Sequence, residues 1–411
     1  MKESIILSTL AIILLITGCK NEVAQWRGIA RDGIYHETNL FDQWPEEGPE
    51  LLWVYEGLGR GYAAPSVLGD KIFVNGEVEG QSYLFSLNRE GELLWKSPNG
   101  EEFVGDGFSS TYPGARSTPT VFGKLVYTSS GEGRIACFEA STGEEQWGTS
   151  IVDYLDGEIT YFGYSESVAV DDEKLFCFPG GPSKNFVALD RYTGKIAWTA
   201  AVHKDTFAYG SPVLVDLAER EILISTSRHH IFALDRNNGE VLGTYSLEGF
   251  EVDGEHCNSV LYRNGYIYFV SNDVKGPGAI KLELSKDGKE ITEVWRNPDI
   301  RNNFGGYVVV NDQLFTTVKG NKLISLNSED GSISDSLKVA TGSIIYADNK
   351  FIVYGNNGSS NLIIYEGGKM ELGSTFKIKE GTGHHFSHPV LNDGVMYIRH
   401  GDAIMAYAVS P

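Results

Sequence analysis

Residues 188–198 read Ala188-Leu189-Asp190-Arg191-Tyr192-Thr193-Gly194-Lys195-Ile196-Ala197-Trp198. An apolar strand ends at Ala-Leu-Asp, Thr-Gly makes a tight turn, and a new strand leads to an indole. The line returns as Glu139-Ala140-Ser141-Thr142-Gly143 with Trp147, and again between Ile222 and Thr244, where Ala233-Leu234-Asp235 precedes Asn238-Gly239. Upstream of each copy a Gly-rich or polar turn follows a further apolar strand. Alternating β-branched and aromatic residues bounded by turn formers predict strands, and no long helical stretch competes.

A shorter strand opens each unit, introduced by a pair of residues: Ala64-Pro65, Thr118-Pro119, Glu166-Ser167, Ser211-Pro212, Asn258-Ser259, Gly305-Gly306, Gly342-Ser343 and His388-Pro389. Counted from the second member, the pairs stand 54, 48, 45, 47, 47, 37 and 46 residues apart. Four short antiparallel strands in each such interval is the geometry of a β-propeller. Eight starts predict eight blades and an all-β fold. Trp95, Trp147, Trp198 and Trp295 end four of them, while the blades ending near Gly243, Ser334 and Leu372 carry no indole. The last repeat, His388 to Val409, stops after three strands, and Leu51-Leu52-Trp53-Val54-Tyr55 supplies the fourth. Chain ends that share a blade close the ring and remove exposed sheet edges. The expected division is a signal peptide over residues 1–18, a lipidated tether and leader over 19–49, and one eight-bladed propeller over 50–411. A repeat ring can absorb that length as a single domain.

The 188–198 line and its copy ending at Trp147 resemble the tryptophan-docking motif of quinoprotein-type, PQQ-like propellers. Gln25-Trp26-Arg27-Gly28-Ile29-Ala30-Arg31-Asp32-Gly33, with Trp44-Pro45 and Gly48-Pro49 after it, resembles the leader of exported PQQ-like proteins of the polyvinyl-alcohol-dehydrogenase-like group. The resemblance spans nearly all of the chain that follows the signal peptide. It implies that Trp53, Trp95, Trp147, Trp198 and Trp295 are structural, each indole packed between blades against neighbouring backbone. It implies a fold rather than an activity, because propellers host unrelated functions.

The first residues read as an address. Met1-Lys2-Glu3-Ser4 is polar, and the apolar run Ile5 to Ile16 is too short to span a bilayer permanently. Leu15-Ile16-Thr17-Gly18-Cys19 resembles a bacterial lipobox, which makes Cys19 the expected lipidation site and a membrane the first partner. Several acyl chains would anchor the protein durably, at about 0.8 kcal/mol per buried methylene. Lys20-Asn21-Glu22 contains no inner-membrane-retaining aspartate, so the expected place is the bacterial cell envelope, at the outer membrane, on either face.

The net charge is −21, and removing residues 1–18 takes away Lys2 and Glu3 without changing it. Phosphate backbones need clustered Lys and Arg, so nucleic acid is excluded as a partner. Cys137, Cys177 and Cys257 are odd in number and far apart, with no Cys-x-x-Cys spacing, which predicts buried free thiols.

Turns that enter the inner strands of a propeller converge on one mouth of its central channel, where ligands bind. Blade by blade they offer Arg60 and Tyr62, Tyr112 and Arg116, Tyr164 and Glu166, Tyr209, His256 and Asn258, Asn303 and Phe304, then His384, His385 and His388. The competing expectation is that they bond one another and trapped water at the axis. The resemblance implies pyrroloquinoline quinone with Ca²⁺ as a cofactor to consider. Arg116 would then face its carboxylates, and Glu166 and Asn258 would supply oxygen ligands. The sequence departs from that pattern, with Asn302-Asn303 where a catalytic aspartate is expected, no adjacent Cys-Cys pair and no Cys-x-x-Cys-His. His384 and His388 have zinc-like spacing only on a helix, whereas Gly381, Gly383 and Pro389 place them on a loop. His229-His230 reads as an exposed pair at a blade turn. Gly163-Tyr164-Ser165-Glu166-Ser167 lacks the final glycine of a nucleophile elbow.

The leading expectation is a membrane-anchored, non-catalytic binding or scaffold protein, with no cofactor assigned. Its envelope protein, peptide or glycan partner would sit at the channel mouth or on the blade edges. The alternative is a PQQ- or metal-dependent oxidoreductase of the alcohol or polyol dehydrogenase kind.

Overall fold

The computed structural model describes residues 22–181, 184–206, 208–250, 256–272, 275–303 and 305–411. Cys19 and Phe304 lie outside the described residues.

Eight antiparallel sheets form the ring, seven from consecutive strands and one from both chain ends. Blade 1 begins at Ser66–Leu68, blade 2 at Thr120–Phe122, blade 3 at Ala169–Val170 and blade 4 at Val213–Asp216. Blades 5, 6 and 7 begin at Leu261–Arg263, Tyr307–Val310 and Gly342–Ala347. Blade 8 has Val390–Asn392, Val395–His400 and Ala403–Ala408, completed by Leu51–Glu56 paired with Ala403–Ala408. Middle strands are buried on both faces, as in Glu221–Thr226, because each sheet packs between two neighbours. Outermost strands such as Ile333–Lys338 alternate toward solvent.

Every blade carries a register shift between its third and outermost strands, next to one recurring outer-strand position. Trp53, Trp95, Trp147, Trp198 and Trp295 occupy that position in five blades; Thr244, Asp335 and Ser374 occupy it in blades 4, 6 and 7. A bulge twists the outer strand and aims that side chain at the next blade. Trp147 Nε1 donates to Arg191 O at 2.9 Å, Trp198 to Arg236 O at 3.1 Å, Trp295 to Ser328 O at 3.0 Å and Trp53 to Arg89 O at 2.7 Å. Each indole ring lies on the turn glycine of the next blade, Trp147 on Gly194 for example.

Where the indole is missing, other groups close the seam. Asp335 accepts the Met370 N–H at 2.9 Å. Ser374 accepts the N–H of the leader's Trp44 at 2.9 Å, and the Trp44 ring, 2% exposed, meets Phe376 edge-on at 5.2 Å. The leader therefore lends blade 7 the indole that its own repeat lacks.

The leader does more than bridge to the ring; it plugs the channel. Glu22 O accepts the Gly123 N–H at 3.0 Å at the rim remote from the mouth, and Val23–Ala24 adds a fifth strand to blade 2. The chain climbs to Trp26, turns over residues 27–33, and descends along blade 7, where Tyr35 N–H donates to Tyr346 O and Tyr346 N–H to Gly33 O, both at 2.9 Å. It leaves at the rim where it entered, with Glu37 accepting the Asp393 and Gly394 N–H groups at 3.1 and 2.9 Å. Two buried arginines hold the turn. Arg27 donates to Tyr307 O of blade 6, and Arg31 donates to Ser167 O at 2.7 Å, Pro212 O at 3.3 Å and Val168 O. Burial lowers both guanidinium pKa values, Arg31 to about 10.

Candidate functional site

A ring of hydroxyls fixes the channel register on one side. Thr118 N–H donates to Ser167 Oγ at 2.9 Å, Ser167 N–H to Ser211 Oγ at 2.9 Å, and Ser211 N–H to Ser259 Oγ at 2.6 Å. Thr118, Ser167, Ser211 and Ser259 are thus equivalent residues of blades 2 to 5. The pairs that open blades 3 and 5 are accordingly Ser167-Val168 and Ser259-Val260, one residue later than the sequence suggests. A shift of one residue exchanges the two faces of a strand. That slip assigns the mouth to the wrong residues in two blades. Ser165, Ser167, Cys257 and Ser259 face the channel, whereas Tyr164, Glu166, His256 and Asn258 are buried in the wall.

Above the hydroxyl ring the mouth holds a cup of about 370 Å³. Its floor is the plug tip Trp26 with His388, edge-on at 5.5 Å. Tyr62, Tyr112, Arg116, Tyr209, Asn303 and His388 of the expected residues line it, together with Phe108, Phe162, Phe386 and Asn272, which the sequence reading passes over. The rings form a continuous arc. Tyr62 meets Phe386 at 5.4 Å, Tyr112 meets Phe108 at 5.6 Å, and Phe162 meets Tyr112 at 6.2 Å and Tyr209 at 6.1 Å. Phe108 and Tyr161 leave their rings 62% and 53% exposed at the edge. The Arg116 guanidinium stacks over Phe103 and donates to Tyr112 O and Gly114 O. Phe162 and Phe386 sit in the same turns as residues the sequence reading selects, but nothing in the sequence shows that the leader brings Trp26 there.

The other expected residues go elsewhere. Arg60 pairs with Glu77 outside the cup. His384 stacks parallel on Phe386 at 4.8 Å on the rim, while His385 bonds the Tyr354 hydroxyl and stacks on His400 at 3.7 Å. His384, His385 and His388 thus point three ways, and the described residues hold no cluster of three metal-ligating side chains. Cys137 and Cys177 are buried, but Cys257 is half-exposed and lines the cup, contrary to expectation. His229 and His230 are not merely an exposed pair: both ring Nδ1 atoms meet the Asp205 carboxylate at 3.0 Å, and His230 stacks on His203 at 4.1 Å.

The donor set does not suit a quinone with Ca²⁺. Glu166 is fully buried and accepts the Tyr164 hydroxyl at 2.9 Å and Phe178 N–H at 2.8 Å. The Asn258 amide donates to Val270 O at 2.9 Å and Asn302 O at 2.8 Å. No carboxylate lies among the described residues lining the cup.

Buried Glu166 and Glu102 give a testable pH dependence. Desolvation pushes both carboxyls up from 4.5 to about 7. Between those values the folded chain holds protons that the unfolded chain releases. Stability from these groups is therefore lost as pH rises through that window, on the order of 3 kcal/mol each. Glu166→Gln is expected to flatten the fall in thermal midpoint over this range and to raise the midpoint above pH 7. An unchanged profile in differential scanning calorimetry would show that Glu166 ionises freely in the fold.

The geometry so far defines an eight-bladed propeller of the tryptophan-docking class. The chain belongs to the PQQ-like repeat family whose model, described as outer membrane protein assembly factor BamB, matches residues 80–336. No curated protein matches it significantly. Among solved structures, BamB from Moraxella catarrhalis is similar with a TM-score of 0.63 at 12% identity, covering 88% of this chain and 99% of that one. A europium-containing methanol dehydrogenase gives 0.66 at 12% identity, covering 93% and 90%. The quinohemoprotein alcohol dehydrogenase ADHIIG from Pseudomonas putida HK5 gives 0.63 at 13% identity, covering 95% and 80%. At such identities the likeness is one of fold.

Proposed function

We propose that this protein is a lipid-anchored envelope propeller that binds a ligand, without transforming it, in the cup at its channel mouth. The observation that supports this most directly is the plugged channel. With Trp26 as a floor, the mouth becomes a closed-bottomed, aromatic-walled pocket of the kind that buries ligands. The match to the BamB family model supports the envelope. The dehydrogenase names of two structural relatives are not carried over, because Glu166 and Asn258, the expected oxygen ligands, are buried in the wall and do not line the cup.

The anchor has a direction. Glu22, three residues after Cys19, is bonded at the rim remote from the mouth. At most about 3.6 Å per residue keeps the membrane side at that rim, with the cup facing away.

A photo-crosslinking residue at exposed Phe108 is expected to trap an adduct in intact cells, and the same residue at Lys124, in a turn at the opposite rim, is not. Adducts from Lys124 alone, or from neither position, would sink the proposal. Cys19→Ala should release the protein into the soluble envelope fraction; a variant still held by the membrane would overturn the lipid anchor alone.

A further inference from the structure

Beside the cup lies a second hollow of about 590 Å³, on the side of blades 5 to 7. Asn272 and Asn303 line both, so the two form one groove across the mouth. Its halves differ in chemistry. The cup presents aromatic faces above the hydroxyls of blades 2 to 5, and the hollow presents the amides of Asn303, Asn321 and Asn356 with Arg301, Lys319 and Asp299.

We propose that this groove binds an uncharged oligosaccharide, with one pyranose ring in the cup and its neighbours over the amide hollow. The inference deepens the proposed function and rests on the mouth being a binding site. A pyranose is two-faced in the same sense as the groove. Its polarised C–H face packs on the negative face of an aromatic ring, and its hydroxyls each donate and accept. Asparagine side chains also offer both a donor and an acceptor, so a row of them can follow a run of hydroxyls. The Arg116 guanidinium, stacked on Phe103 and donating to Tyr112 O and Gly114 O, lines the cup as a further hydrogen-bond donor for a sugar hydroxyl. A peptide strand would instead need an open sheet edge, and the inner strands of blades 2 to 5 are tied to one another at the mouth by their hydroxyls.

The test titrates the full chain in detergent with neutral tetrasaccharides (α- and β-linked glucan, mannan and xylan) and with tetragalacturonate, by calorimetry. At least one neutral member should bind, and its affinity should fall about tenfold in Phe162→Ala and in Asn303→Ala, corresponding to one stacked ring or one lost amide contact. Binding should also change the fluorescence of the wild type more than that of Trp26→Phe. Asn303 is exposed on its turn, so its variant keeps the measurement meaningful should Phe162→Ala misfold. Salt-sensitive binding of the uronate alone, binding undiminished in the Asn303→Ala chain, or no binding at about 10 mM sugar overturns the proposal. A protein adduct from position 108 without sugar binding overturns the saccharide while leaving the mouth a binding site. Absence of both sinks the two together.

Discussion

Arg31→Met is expected to cost about 3–5 kcal/mol of unfolding free energy, read as a lower denaturation midpoint, and to open the leader to proteolysis. The Arg31 guanidinium is 3% exposed and donates to Ser167 O, Val168 O and Pro212 O, to Thr120 Oγ1 at 3.3 Å and to Gln25 Oε1 at 2.7 Å. Methionine fills similar space and removes the cost of burying a charge, which by itself would stabilise the chain. The acceptors decide the sign. Three of them are backbone carbonyls of blades 3 and 4, which remain in place; Val168 O keeps the Thr120 hydroxyl at 2.7 Å, but Ser167 O and Pro212 O lose this donor, and each acceptor left buried without one costs about 1–3 kcal/mol. Arg31 also holds φ +57, a left-handed conformation that its bonds maintain against the local preference. Ile29→Ala, at a position 66% exposed in the same turn, is the control and should change little. A loss below about 1 kcal/mol in Arg31→Met would mean that the plug is dispensable to the ring. The consequence for the site is direct, because the cup loses its floor when Trp26 is released.

The ring was legible because its information is repeated. Eight starts, the Ala-Leu-Asp and Thr-Gly lines and the orphan strand at Trp53 all follow from patterns that recur within the chain, and the strand over Leu51–Glu56 does pair with Ala403–Ala408, with one register shift between Leu51 and Trp53. The plug was not legible. A short, Gly-containing stretch with two arginines reads as a solvated tether, and only the closed ring creates the carbonyl-lined axis that takes Arg27 and Arg31 inside. Trp44 is a similar case, since its place opposite Ser374 exists only once blade 7 is known to lack an indole. The site was legible to the level of the turn but not of the face. Where a proline marks the start, in blades 1, 2, 4 and 8, the residues selected (Tyr62, Arg116, Tyr209 and His388) line the cup. In blades 3 and 5 valine replaces proline, the start slips by one residue, and Glu166 and Asn258 are drawn from the buried face.

Gly194→Ala should destabilise the ring by about 2–4 kcal/mol, more than an ordinary glycine-to-alanine change in a turn. Two costs combine. Gly194 has φ +67, where a Cβ costs roughly 1–2 kcal/mol, and the added methyl would lie 2.6 Å from Cε3 of the Trp147 ring. The ring cannot retreat freely, because its Nε1 is bonded to Arg191 O at 2.9 Å. Gly80→Ala separates the costs: φ there is +81, but nothing lies within 4 Å of the added carbon, so only the backbone strain remains. Trp147→Phe in the Gly194→Ala background should recover part of the loss, since a smaller ring makes room for the methyl. The double-mutant cycle should therefore be non-additive by about 1 kcal/mol or more. Additive effects would show that the indole and the glycine contribute separately, and that the bulge before residue 147, rather than the fit of ring on turn, sets the spacing of the blades. The same change at Gly331, 2.5 Å from the Trp295 ring, should repeat the result on the other side of the ring. A seam that tolerates alanine at both turns would remove the indole–glycine contact as the reason these repeats hold their curvature.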